Sequence, residues 1–100
     1  MQRNILVIGT NGHVLAIAGD SGDELWRTKL RNAVGLSAVN VLLDGDKIFA
    51  GSSGHIYCLD ALTGKILWQN DLKGMGYSVI SLGRPGVTAQ FVTQENSTAG

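Results

Sequence analysis

Hydrophobic and polar positions alternate over short stretches of this chain, and the alternation is broken at glycine-containing dipeptides. Across residues 55–60, Ile56, Cys58 and Asp60 are set against His55, Tyr57 and Leu59. A period of two places successive side chains on opposite faces of a strand. Ala38 to Leu43 is rich in β-branched and aliphatic residues, and Asp44-Gly45 follows, a dipeptide that tolerates positive φ in a tight hairpin. Lys47 to Gly51 then reads as a second strand, Ser53-Gly54 as a turn and His55 to Asp60 as a third strand. Ala61-Leu62-Thr63-Gly64 forms the next turn, and Lys65 to Leu72 the fourth strand. Asn11-Gly12 is a still stronger hairpin signal nearer the start. No window of about 12 residues carries a sustained 3.6-residue apolar stripe, and 14 glycines would interrupt a helix repeatedly. The pattern predicts an all-β, antiparallel fold with strands near 5–9, 13–18, 24–30, 38–43, 47–51, 55–60, 65–72, 78–83 and 87–92.

These strands fall into a repeat. Displacing the chain on itself by 42 residues aligns Gly9–Leu30 with Gly51–Leu72, and seven of the 22 positions are identical, including Gly22/Gly64, Leu25/Leu67 and Trp26/Trp68. Both tryptophans therefore share one phase. A weaker third start follows, where Gly76-Tyr77-Ser78-Val79-Ile80 echoes Gly35-Leu36-Ser37-Ala38-Val39 at a spacing of 41. Four short strands per repeat of this length is the organisation of a β-propeller blade. The expected units are one blade over residues 4–33 that lacks its first strand, a complete blade over 35–74, the start of a third over 76–92, and a polar tail over 93–100. Such a chain does not close a ring alone, because propellers close with about 4–8 blades. It is expected to be a fragment of a longer propeller or a subunit of an oligomeric one, with strand 78–83 of one copy completing the first blade of the next; a strand at 87–92 would compete with that arrangement.

The stretch Gly54-His-Ile-Tyr-Cys-Leu-Asp60-Ala-Leu-Thr63-Gly64-Lys-Ile-Leu-Trp68 resembles the tryptophan-docking repeat of the pyrroloquinoline-quinone-like propellers, the quinoprotein-dehydrogenase-like superfamily. The likeness covers most of residues 5–72. In the first copy Ala18 stands where the family usually has Asp, and Ser21 replaces Thr. Asp20 is close enough in sequence to take over the turn contact. The resemblance implies that Trp26 and Trp68 pack on the turn of a neighbouring blade, which makes Gly22, Gly64, Asp60 and Thr63 the associated turn residues. The turn has its own physical logic: a carboxylate such as Asp60 can accept backbone N–H bonds from the residues that follow, and Gly64 takes a left-handed conformation at little steric cost.

Composition narrows the function. Eight basic and eight acidic residues are scattered singly, for a formal net charge of zero, so nothing resembles an electrostatic footprint for nucleic acid or an anionic membrane. The apolar run Ile5–Ile8 is too short for a signal-peptide core or a membrane span. The chain reads as soluble, of open compartment with the cytoplasm favoured. Its one cysteine, Cys58, has no second thiol to pair with and reads as a small core residue. His13 and His55 occupy the same phase of separate blades, so they read as strand-start residues and not as metal ligands. The family's dehydrogenases need a quinone, a calcium or related ion held by Glu, Asn and Asp, and a catalytic Asp, commonly with an adjacent-cysteine disulfide. That constellation is not visible in this sequence, and neither is a phosphate-binding loop or a nucleophile elbow. The expected role is a non-catalytic scaffold binding other blades or protein partners, with no cofactor, no metal and no catalytic residue. The competing role is as blades of a quinone-dependent dehydrogenase, or of a propeller appended to a larger enzyme.

Overall fold

Two dipeptides begin the construction. Asn11-Gly12 has φ of 51° and 72°, and Ser53-Gly54 has 53° and 80°. Paired left-handed residues make the turn whose twist matches that of the flanking strands, and they close hairpins at Thr10↔His13 and Ser52↔His55. A computed structural model describes residues 4–33 and 38–86. Within them lie β1 (Ile5–Thr10), β2 (His13–Ala18), β3 (Glu24–Lys29), β4 (Asn40–Asp44), β5 (Lys47–Ser52), β6 (His55–Asp60) and β7 (Ile66–Asn70). They form two antiparallel sheets in simple meander order, β1-β2-β3 and β4-β5-β6-β7. The second is a whole four-stranded unit. Strand β7 ends at Asn70, short of Leu72, because the Asn70 side chain accepts the Leu72 N–H at 2.8 Å while Leu72 itself turns to φ 47°.

The sheets stack face to face, with β1 against β4. Register assigns the faces. Val7, Ala16 and Trp26 are mutual cross-strand neighbours in the first sheet, as are Gly9, Val14 and Thr28. This face meets Ile48, Ala50, Tyr57 and Leu59 of the second sheet, and together they bury the main core, with Leu30, Val39 and Ala61 at its margin. Tyr57 is 0% exposed. Its hydroxyl donates to the Arg31 carbonyl at 2.6 Å, which satisfies the one polar atom that its burial takes from water and ties the inter-sheet connection to β6. Burial also pushes its phenol pKa upward.

Close approach explains two glycines of the repeat. A Cβ on Gly9 would lie 2.6 Å from the Val39 carbonyl, and one on Gly51 would lie 2.8 Å from the Ile80 side chain. The two contacts are the same contact one repeat apart. Residues 78–83, expected as a strand, belong to no ladder. They run alongside the second sheet as the first strand of a further unit would, held by Asn40 Nδ2 donating to the Ile80 carbonyl and by an Arg84–Asp44 ion pair. A strand needs a neighbour to hydrogen-bond with, and the described residues supply none. The strand expected at 87–92 and the polar tail at 93–100 lie outside the described residues.

Candidate functional site

The site grows from a bulge. Along β2 and β3 the register passes from Ala16↔Trp26 to Ile17↔Glu24, which leaves Leu25 as an extra residue; along β6 and β7 it passes from Cys58↔Trp68 to Leu59↔Ile66, which leaves Leu67. Both bulged residues are the exposed leucine of Gly-x-x-Leu-Trp. A bulge bends its strand and re-aims the next side chain. Here it puts the indole on the same face as the small residue opposite it, Ala16 or Cys58, which leaves room for a ring of that size. In the sequence this leucine shows only as a repeated residue.

Trp26 reaches from the first sheet onto the turn of the second. Its Nε1–H donates to the Ala61 carbonyl at 3.1 Å, and a Cβ on Gly64 would lie 2.6 Å from Trp26 Cδ2. Thr28, two residues on, donates its hydroxyl to the Gly64 carbonyl at 2.6 Å. The indole thus lies against a bare stretch of backbone, held by its own hydrogen bond to Ala61, while Thr28 adds a second to the same turn at Gly64. Sequence reasoning missed Thr28 and Ala61. The turn itself is held by Gly64 N–H donating to the Asp60 carbonyl at 2.8 Å, by Leu62 N–H on the Asp60 carboxylate at 2.8 Å, and by Lys65 N–H on the Thr63 hydroxyl at 3.2 Å. Gly64 has φ 80°.

The structure brings together Trp26 and the turn containing Asp60, Thr63 and Gly64, which come from different copies of the repeat. Trp68 and Gly22 are not so matched. Trp68 is 47% exposed, its ring tilted at 6.2 Å from Phe49. It borders an open cleft of about 260 Å³ lined also by Leu42, Ile56, Leu82 and Arg84. The Arg84 guanidinium sits 5.0 Å over the Phe49 ring. Around Gly22, φ 82°, none of the described residues lies within 4 Å of where a Cβ would stand. The turn at Gly22 keeps the Gly64 design, with Gly22 N–H donating to the Ala18 carbonyl at 2.8 Å. The Ser21 hydroxyl accepts the Asp23 N–H at 3.2 Å, as Thr63 accepts that of Lys65. The carboxylate contact is the one that differs: Asp20, expected to take over the turn contact but two residues beyond the usual Asp position at Ala18, instead accepts from Asn4 Nδ2 at 2.7 Å, toward the chain before β1.

Other reactive groups are dispersed. His13 Nδ1 lies 2.8 Å from the Asn11 carbonyl, and His55 Nδ1 lies 2.9 Å from the Asp71 carboxylate, on separate sheets. Among the described residues no group of three or more His, Cys, Asp or Glu side chains could hold a metal ion, and no helix is long and apolar enough to cross a membrane. Cys58 is 2% exposed. Burial pushes its thiol pKa above the ordinary value, with Lys47 and Arg84 pulling the other way. Because the thiolate is the reactive species, Cys58 should react with an aromatic disulfide reagent at pH 8 roughly 100-fold more slowly in the folded chain than in urea, since reaction then requires local opening. Equal rates in the two states would show that the strand is not closed over it.

Comparison with known proteins places this geometry in a family. The family model described as outer membrane protein assembly factor BamB matches residues 10–98. Among curated relatives, BamB of Yersinia pestis is 24% identical over 88 residues, covering 79% of this chain and 22% of that protein. The quinohemoprotein alcohol dehydrogenase ADH IIB of Pseudomonas putida is 41% identical over 66 residues, covering 56% of this chain and 9% of that one. The crystal structure of BamB from Moraxella catarrhalis superposes with a TM-score of 0.54 at 29% identity, over 69% of this chain and 20% of that one. The computationally designed Ika8 protein has the same fold over 89% of this chain and 28% of its own, with a TM-score of 0.63 at 24% identity. The chain thus spans about a fifth of the length of the BamB proteins it matches. On its repeat, its sheets and these matches, the chain belongs to the PQQ-type β-propeller repeat family described as outer membrane protein assembly factor BamB.

Proposed function

We propose that the chain is a non-catalytic propeller module whose work is protein–protein assembly. The observation that carries this reading is the seat of Trp26 on the Gly64 turn. The most distinctive residues of the sequence hold sheet to sheet, and Trp26, Gly22, Gly64, Asp60, Thr63 and Trp68 act as docking residues, not as chemistry. The matched assembly factors point the same way. In this role the module presents stacked sheet edges and turns to other blades or to protein partners.

A second reading, as blades of a quinone-dependent dehydrogenase, draws on the 41% identity to the Pseudomonas enzyme. The two readings part on ligand uptake. Under the scaffold reading, equilibrium dialysis of the purified chain against pyrroloquinoline quinone with calcium leaves no saturable quinone absorbance in the protein compartment. Stoichiometric uptake, reduced by replacing residues of the cleft beside Trp68, would transfer the chain to the dehydrogenase class.

A further inference from the structure

Asn11-Gly12 closes the β1–β2 hairpin, and Ser53-Gly54 closes its counterpart one repeat on. The two turns share a backbone, with φ of 51° and 72° in the first and of 53° and 80° in the second. Each is followed by a histidine, His13 or His55. Their chemistry differs. The first places a side-chain amide next to a glycine, where the second has a hydroxyl. The first also has its histidine folded back on it: His13 Nδ1 lies 2.8 Å from the Asn11 carbonyl oxygen, whereas His55 Nδ1 lies 2.9 Å from the Asp71 carboxylate. A carbonyl oxygen can only accept, so the His13 nitrogen facing it carries the hydrogen.

The Asn11 carbonyl and the Gly12 nitrogen are the two halves of one peptide bond. That nitrogen can close a five-membered ring onto Asn11 Cγ, and glycine leaves its approach unhindered because it has no Cβ. When the nitrogen gives up its proton, the negative charge spreads to the carbonyl oxygen through the peptide resonance. A donor already seated on that oxygen therefore stabilises the attacking form of the peptide, as a preorganised hydrogen bond does wherever charge develops on an oxygen. Asn11, Gly12 and His13 belong to one turn, and the contact spans two residues, so the arrangement is a property of the hairpin itself.

We propose that Asn11 is a self-modifying site, at which the Gly12 nitrogen displaces ammonia from the Asn11 side chain while His13 holds the charge on the Asn11 carbonyl oxygen. The Gly12 nitrogen passes its proton to solvent and bonds to Asn11 Cγ. The Cγ–Nδ2 bond then breaks, and Nδ2 leaves as ammonia with a proton taken from solvent. The cyclic imide takes up one water. Addition at Cγ restores the original backbone with an aspartyl side chain. Addition at the main-chain carbonyl leaves an isoaspartyl residue, with the chain rerouted through the side chain and lengthened by one carbon. Nothing is oxidised or reduced, and water is the one co-reactant. Either product adds a negative charge to a chain whose net charge is zero. The isoaspartyl product also loosens the hairpin, because a two-residue loop depends on the twist of its left-handed pair. The Ser53 turn, with no amide to lose, is exempt. The site is independent of the docking role proposed for the tryptophans.

Peptide mass mapping of the 100-residue chain during incubation at pH 8 tests this, with the aspartyl and isoaspartyl products separated by chromatography. The peptide containing Asn11 should gain the mass of an amide-to-acid conversion, and Asn11→Ser, which installs the side chain of the second turn, should abolish the gain. His13→Phe should slow the folded chain about tenfold, as one hydrogen bond to a charged oxygen supplies. In urea, where the turn is lost, the wild-type and His13→Phe chains should react alike. If His13→Phe does not fold by circular dichroism, His13→Val removes the same donor with a strand-forming side chain and should slow the reaction equally. No gain in the peptide, a gain that survives Asn11→Ser, or equal rates in the folded wild-type chain and the His13 variants would each overturn the proposal. So would a His13 dependence as large in urea as in the fold, since the effect would then belong to the bare tripeptide and not to the turn.

Discussion

Trp26→Ala should cost the folded chain about 3 kcal/mol, near the lower end of the usual loss for a tryptophan because the indole is partly and not wholly buried. Three losses combine. The ring leaves the Gly64 backbone bare, Ala61 loses the donor to its carbonyl, and the first sheet loses its main lateral hold on the second. Trp68→Ala removes the same side chain from the same phase of the repeat, yet within one chain it should cost only about 1 kcal/mol, since half of that ring already meets water. Urea unfolding of both variants reads the difference. In a domain of this size 3 kcal/mol corresponds to a fall in Tm of roughly 12 °C or more, and to a large share of a total stability of about 5–15 kcal/mol. Equal losses at the two tryptophans would contradict the geometry.

Gly64→Ala should be comparably damaging, at about 3 kcal/mol, for two separable reasons. The position has φ 80°, which strains any residue with a Cβ by about 1 kcal/mol or more. The added methyl would also lie 2.6 Å from Trp26 Cδ2, so the indole must lift off the turn, an overpacking cost of about 1–3 kcal/mol. Gly22→Ala separates the two, since φ there is 82° but no atom of the described residues lies within 4 Å. It should carry the backbone cost alone. A double-mutant cycle makes the point sharper: with Trp26 already alanine, the cost of Gly64→Ala should fall toward the Gly22→Ala value, the remainder being the Thr28 hydroxyl 2.7 Å from the added methyl. An unchanged cost would mean that the indole and the turn are not coupled.

Much of the fold was legible in the residues. The glycine-bearing dipeptides fixed the hairpins, because left-handed φ is a local demand that few other residues meet. The repeat of 42 paired both tryptophans before any contact was known. Asp60, Thr63 and Gly64 could be read as one turn, since their hydrogen bonds span only two to four residues. What escaped was non-local. Leu25 and Leu67 become bulge residues only through their register against β2 and β6. Thr28 matters because of a carbonyl 36 residues away, and nothing in its neighbourhood signals that. The expected strand at 78–83 had the right residues, but a strand is defined by its partner and not by its own composition.

By itself, then, the sequence determined which segments are extended, where they turn and that the design is used more than once, because strand alternation and turn chemistry act over a few residues. Only the tertiary structure decided that two equal signatures have unequal fates. Trp26 is docked and Trp68 open, Gly64 covered and Gly22 bare, because a docking residue is completed by a surface from a different unit, and the supply of such surfaces is a property of the stack of sheets rather than of any stretch of chain.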